Sequence, residues 1–344
     1  MQGRIREADF IKGVAIFGVI LIHVTAFNMR YSESMTDGGL FFAINQMGRF
    51  SVPIFFMLSG LFLFYRYYDN QTFPILAFFK KRTLYILIPY LSWSVFYLVY
   101  SWFAHRETAP QTVTDTITAV LTGSSYYHLY YIVVMVQFYL LLPLLIWTFR
   151  KFGGLTVVSF ALLINVLANS MTWWEMSSQF PWMAPFTENA IRFFPVWLFY
   201  FCLGGWVGQR AGQILEWFGK IPFAAAIILF SSTGIWMLFN GFFRKETGFF
   251  NFSVLVYSIA SLVLWFQMGG KWKHSWVSTL GRYSFGLYLI HPVLLNLFSR
   301  ITPFLFPQAS WMEFGFMLFA VTSLSLGLSV VIQRLPYSYL LTGK

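Results

Sequence analysis

The sequence predicts an all-α fold: a polytopic transmembrane helix bundle of about ten membrane-crossing helices, with N- and C-termini cytoplasmic. Two observations fix the class. The chain is 58% hydrophobic and only 10% charged, whereas about a quarter of the residues of a soluble domain carry charge. Apolar stretches near the twenty or so residues that a helix needs to cross a bilayer recur from end to end. A third observation orients them: Lys and Arg concentrate in alternate connections.

In chain order the predicted spans are residues 11–28, 41–65, 84–103, 128–149, 155–171, 193–210, 221–241, 250–268, 281–298 and 311–333. With the N-terminus inside, the inner segments hold Arg4, Arg6, Lys12, Arg66, Lys80, Lys81, Arg82, Arg150, Lys151 and the basic residues from Arg210 to Lys273, then Arg282, Arg334 and Lys344, except Arg244 and Lys245. That bias places both termini in the cytoplasm of a multi-pass plasma-membrane protein. Arg4 and Arg6 precede the first span as in a secretory signal, but no small-residue cleavage pattern follows, so a retained anchor is expected. No repeat or low-complexity tract interrupts the chain. The longest polar connections, 104–127 and 172–192, are too short to hold a core, so residues 1–344 read as one integral-membrane domain.

Composition also narrows function. The net charge of +11 is explained by topology rather than nucleic-acid binding, because no stacking or groove-reading module accompanies it. The single cysteine, Cys202, allows no intramolecular disulfide. Tyr126, Tyr127, Trp173, Trp174 and Trp182 fit an interfacial aromatic belt, with a sugar-stacking surface as the alternative.

The first span holds the most informative pair. Eleven helical steps lead from Lys12 to His23; at 100° and 1.5 Å per residue they share one helix face about 16 Å apart, Lys12 at the membrane surface and His23 near mid-bilayer. An ionisable group at that depth marks a functional site by default, though a histidine bonded to a neighbouring helix is the plainer alternative. Asp9 stands three residues before Lys12, at ion-pairing distance along a helix.

The second span runs Arg49-Phe-Ser-Val-Pro53 to Ser59-Gly60. Pro53 and Gly60 fit a kinked, closely packed helix; Arg49, at the outer mouth, either snorkels to the surface or steadies an oxyanion or substrate hydroxyl. The loop before the third span reads Lys80-Lys81-Arg82 and leads to Pro89-Tyr90. It is a positive-inside signal or a phosphate grip. His128 opens the fourth span near the interface, where a solvated structural histidine is expected. The ninth runs from Gly281 to His291-Pro292 and brings His291 to about the depth of His23, roughly 15 Å from the inner surface. Two histidines at one level could pair, relay a proton or simply pack; no third ligand at suitable spacing suggests a metal.

These motifs together resemble the membrane acyltransferase family 3: Lys12 with His23, Arg49 to Gly60, the basic run before Pro89-Tyr90, His128-Leu129-Tyr130, Phe194 to Gly205, and Gly281 to Pro292. Gln137-Phe138-Tyr139 and Trp197 to Gly205 also look like the intercellular-adhesin polysaccharide subgroup. The resemblance implies an O-acyltransferase that takes an acyl group, acetyl first and succinyl second, from cytoplasmic acyl-CoA and delivers it to a hydroxyl of a cell-surface glycan. On that reading His23, Lys12 and Arg49 are catalytic; Lys80, Lys81, Arg82 and Lys12 hold the donor's phosphates; and His128, His291 and Ser59 contact the substrate. Many family members have a second arginine where this chain has Tyr85. The expected partners are acyl-CoA, a glycan acceptor and membrane lipid, with no metal, no nucleic acid, and a homo-oligomer left open. The alternatives are a glycan or lipid-linked-sugar exporter using the histidines for proton coupling, or a scaffold subunit of a polysaccharide synthase. No matched pair of broken helices supports an inverted-repeat transporter.

Overall fold

The computed structural model describes residues 5, 7–31, 35–104, 106–107, 109–173, 180–272, 275–306 and 311–344. Arg4, Arg6, His105, Trp174, Lys273 and His274 lie outside the described residues, as does the Trp173 side chain. The described chain is helical, with no strand.

In order, the α-helices are α1 (Ala8–Tyr31), α2 (Met35–Met47), α3 (Ser51–Tyr67), α4 (Ile75–Arg82), α5 (Ile88–Ala104), α6 (Val113–Thr122), α7 (Tyr130–Phe152), α8 (Gly154–Trp173), α9 (Ala184–Thr187), α10 (Leu198–Gln209), α11 (Ala211–Lys220), α12 (Phe223–Phe243), α13 (Phe252–Lys271), α14 (Trp276–Arg282), α15 (Ser284–Leu305), α16 (Trp311–Ile332) and α17 (Tyr339–Thr342). Among the described residues, nine stretches are long and apolar enough to cross a membrane: Ala8–Met29, Gly38–Tyr67, Ile75–Ala104, Tyr130–Phe152, Gly154–Thr172, Phe223–Phe243, Phe252–Lys271, Ser284–Leu305 and Trp311–Ile332. They make the chain an all-α multi-pass membrane protein.

Two spans carry breaks where proline removes a backbone donor. Pro53 cannot donate to the carbonyl of Arg49, and the chain tightens into a 3-10 turn over Gly48–Phe50 between α2 and α3. The Ser51 hydroxyl donates to the Gly48 carbonyl at 2.6 Å. Pro89 follows a π-helical turn over Thr83–Leu87, which joins α4 to α5. Lys80, Lys81 and Arg82 therefore form the last turn of a helix, not the loop that the sequence suggests.

The chain divides into two compact units. The first comprises Met1–Phe62 and Arg210–Val330. Because lipid tails are as apolar as leucine, helix association there depends on close packing. A Cβ at Gly13 would lie 1.8 Å from the Val277 carbonyl oxygen, and one at Gly281 would lie 1.7 Å from that of Asp9. The backbones of α1 and α14 thus meet with no room for a methyl group. Surface helix α11 buries Ile214 and Phe218, and Gln267 of α13 donates to the carbonyls of Phe218 and Ile221 at 2.9 and 2.7 Å.

The second unit comprises Leu63–Gln209 and Val331–Lys344. The segment expected as a sixth span, 193–210, is a 3-10 turn over Phe194–Trp197 followed by the twelve-residue α10. At 1.5 Å per residue α10 is about 18 Å long, short of the roughly 30 Å hydrocarbon core. Irregular backbone at such a place needs internal hydrogen bonds, and side chains supply them. The Gln137 amide donates to the Arg192 carbonyl at 2.7 Å and accepts from the Phe194 N–H at 2.9 Å. Asn165 donates to the Val196 carbonyl at 2.5 Å, and the Trp197 indole to that of Ile191 at 2.9 Å.

Candidate functional site

Helix α1 is continuous from Ala8 to Tyr31, so the helical spacing of Lys12 and His23 holds. Lys12 pairs with Asp9 at 3.3 Å, as the three-residue spacing suggests, and its ammonium lies 5.2 Å from the centre of the Phe62 ring. Such an i,i+3 helix pair, part-buried here, contributes only about 0.2–0.5 kcal/mol; its larger effect is to fix where the charge sits.

His23 and His291 come together in the first unit, their ring centroids 5.5 Å apart and their planes 27° from parallel. His291 is fully buried, while His23 is part-exposed. The Nδ1 of His291 lies 2.9 Å from the Leu287 carbonyl. A carbonyl only accepts, so Nδ1 carries the proton of the neutral ring, and Nε2 presents its lone pair.

Arg49 sits in the 3-10 turn between α2 and α3. Nη2 donates to the Asn45 carboxamide oxygen at 2.9 Å, and the guanidinium stacks over the Phe249 ring at 4.8 Å. The Asn45 amide donates to the Ile22 carbonyl at 2.8 Å and to the Thr25 hydroxyl at 3.1 Å. Asn45 is thus the link between Arg49 and the backbone of α1 next to His23. Packing brings them close: a Cβ at Gly48 would meet Ile22 Cγ1 at 2.7 Å. Ser59 is part-buried in α3, ten residues beyond Arg49.

The other candidates belong to the second unit. Lys80 and Lys81 are exposed. Arg82 is part-buried, its guanidinium 5.3 Å from the Phe78 ring centre and 5.1 Å from that of Tyr139. Its Nε is buried with no hydrogen-bond partner among the described residues. Two aromatic faces hold this cation while leaving donors for an anionic oxygen.

His128 corrects the expectation of a solvated side chain, being only 3% exposed. Helix α6 in the preceding connection, capped by Gly123 at φ +71°, folds the chain back so that tyrosines close around the ring. His128 stands edge-on to Tyr97 at 5.2 Å and to Tyr126 at 5.9 Å, with Tyr127 at 5.6 Å. Among the described residues no three His, Cys, Asp or Glu side chains gather as a metal site.

Sequence reasoning missed Asn45, whose signal was its place one helical turn before Arg49 on a predicted span. It also passed over Gln137 as chemistry, because pinning a broken segment requires knowing that the segment is broken.

Comparison with known proteins agrees with this architecture. A family described as an acyltransferase domain, the acyltransferase 3 family, matches residues 5–330. A probable poly-beta-1,6-N-acetyl-D-glucosamine export protein of Staphylococcus aureus strain MRSA252 is 25% identical over 350 residues, covering 98% of this chain and 95% of the relative. The protein of the same description from Staphylococcus epidermidis is 23% identical over 306 residues, covering 84% and 81%. No solved structure matches. The chain belongs to the acyltransferase 3 family of membrane proteins.

Proposed function

We propose that this membrane acyltransferase transfers an acyl group, acetyl first and succinyl as the alternative, from a cytoplasmic coenzyme A thioester to a hydroxyl of an exported or cell-surface polysaccharide. The observation that carries the reading is the His23–His291 stack, with Arg49 tied through Asn45 to the Ile22 carbonyl beside His23. A neutral His23 takes the proton of the sugar hydroxyl as its oxygen bonds to the thioester carbonyl carbon. Arg49, held by Asn45, steadies the oxyanion that forms. When the C–S bond breaks, the sulfur leaves with the proton that His23 carried, giving an ester and free coenzyme A. His291 and Ser59 contact the acceptor, and Lys12 keeps a positive charge at the base of the same helix face. Phosphate binding by Lys80, Lys81 and Arg82 is proposed separately, on the aromatic framing of Arg82.

The test is purified protein in lipid nanodiscs given isotope-labelled acetyl- or succinyl-coenzyme A and a short β-1,6-linked N-acetylglucosamine oligomer. Release of coenzyme A with label on the oligomer is expected, and His23→Ala should lower the rate by about 10²–10⁴-fold. Full activity in His23→Ala would remove the mechanism.

A second reading, export of the polysaccharide, is favoured by the names of the Staphylococcus relatives. Passage of unmodified oligomer across proteoliposomes without consumption of the thioester would select it.

A further inference from the structure

The second unit contains an aromatic and polar cluster that the chemistry above does not use. The chain leaves α6 through Gly123, where a Cβ would lie 2.9 Å from the Tyr130 Cα. The amides of Ser124 and Ser125 both donate to the Ala119 carbonyl, at 2.8 and 3.2 Å, and that of Leu129 donates to Tyr126 at 3.1 Å. The turn from Ser125 to His128 is therefore fixed by its own backbone.

Tyr126 lies against Tyr97, centroids 4.3 Å apart and planes 19° from parallel, so one of its faces is covered. Tyr127 lies 4.9 Å from Tyr126 and is 47% exposed, which leaves ring surface open. His128 stands perpendicular to Tyr97 and Tyr126 and is buried between them. Ser125 is only 5% exposed, yet its hydroxyl has no hydrogen-bond partner among the described residues. A buried hydroxyl without a partner is unfavourable, and a bound hydroxyl group would offset that cost.

None of Tyr97, Ser125, Tyr126, Tyr127 and His128 carries formal charge as a neutral ring or hydroxyl. The cluster suits a ligand that is itself uncharged, presents an apolar C–H face to an aromatic ring and has hydroxyls at its edge. A pyranose has these properties; the phosphates of coenzyme A do not.

We propose that Ser125, Tyr126, Tyr127 and His128, backed by Tyr97, form a subsite for a neutral sugar of the acceptor chain. Tyr127 stacks on the C–H face of a residue, and Ser125 and His128 hydrogen-bond its hydroxyl or N-acetyl groups. The subsite rests on the polysaccharide-acceptor reading, but its test does not require transfer to occur.

The experiment titrates the full chain in nanodiscs with the short β-1,6-linked N-acetylglucosamine oligomer alone, by calorimetry, for the wild type and for Tyr127→Ala, Ser125→Ala and His128→Gln. Thermal unfolding checks that each variant is folded; Tyr127→Ala, on an exposed ring, is the variant least able to disturb packing. Binding weakened about tenfold in Tyr127→Ala is expected. Wild-type protein that does not bind the oligomer, or wild-type affinity in both Tyr127→Ala and Ser125→Ala, overturns the subsite. Tyr127-dependent binding without any acyl transfer keeps the subsite and removes the enzymatic reading. Transfer whose oligomer KM is unchanged in Tyr127→Ala does the reverse.

Discussion

His23 and His291 stack with ring centroids 5.5 Å apart, from helices whose sequences are separated by most of the chain. His291 cannot turn freely, because its Nδ1–H is committed to the Leu287 carbonyl. The pair should therefore act as a unit. His291→Gln should lower the acyl-transfer rate by about 10–100-fold, and the double variant with His23→Ala should be no slower than His23→Ala alone. Multiplicative losses in steady-state rates would mean that the two rings work independently.

Asn45 tests whether Arg49 is held in place or merely present. Asn45→Ala removes the acceptor of the 2.9 Å bond from Arg49 and both bonds to α1. The expected outcome is a fall in kcat of about tenfold with little change in donor KM, and partial recovery in Asn45→Asp, which keeps the acceptor. A pure KM effect in the same assay would assign Asn45 to binding.

Arg82 should act on the donor rather than on the chemical step. Arg82→Ala is expected to raise the acyl-CoA KM by about tenfold, whereas Arg82→Lys keeps the charge but loses the planar fork and should fall between. Titration with dephospho-coenzyme A provides the check, since loss of a phosphate contact should shrink the difference between wild type and variant.

Gln137 is expected to matter for folding. Its amide satisfies a carbonyl and an N–H of the broken segment before α10, and Gln137→Leu leaves both without it. A loss of about 2–5 kcal/mol, read as lowered thermal stability in detergent, is the expected result.

The helix-bundle class was legible because twenty-residue apolar runs have few other uses, and nine spans answer to it among the described residues. The convergence of His23 and His291 was legible only as a shared depth, since periodicity gives a height and a face but not a neighbouring helix. The breaks around Arg49 and before Pro89 were signalled by proline, yet whether a proline yields a 3-10 or a π turn depends on the packing around it. His128 was misread because hydropathy places a polar residue at a span's edge in water. Here an amphipathic ten-residue helix and a left-handed glycine fold tyrosines over it.

The contact between α1 and α14 at Gly13 and Gly281 has a mechanical meaning. Backbones interlocked at both glycines cannot slide past each other by a fraction of a turn, so α1 has no piston stroke relative to α14. Whatever vertical adjustment the bilayer asks of α1 therefore carries α14 and the His23 that α1 bears along with it, as one block.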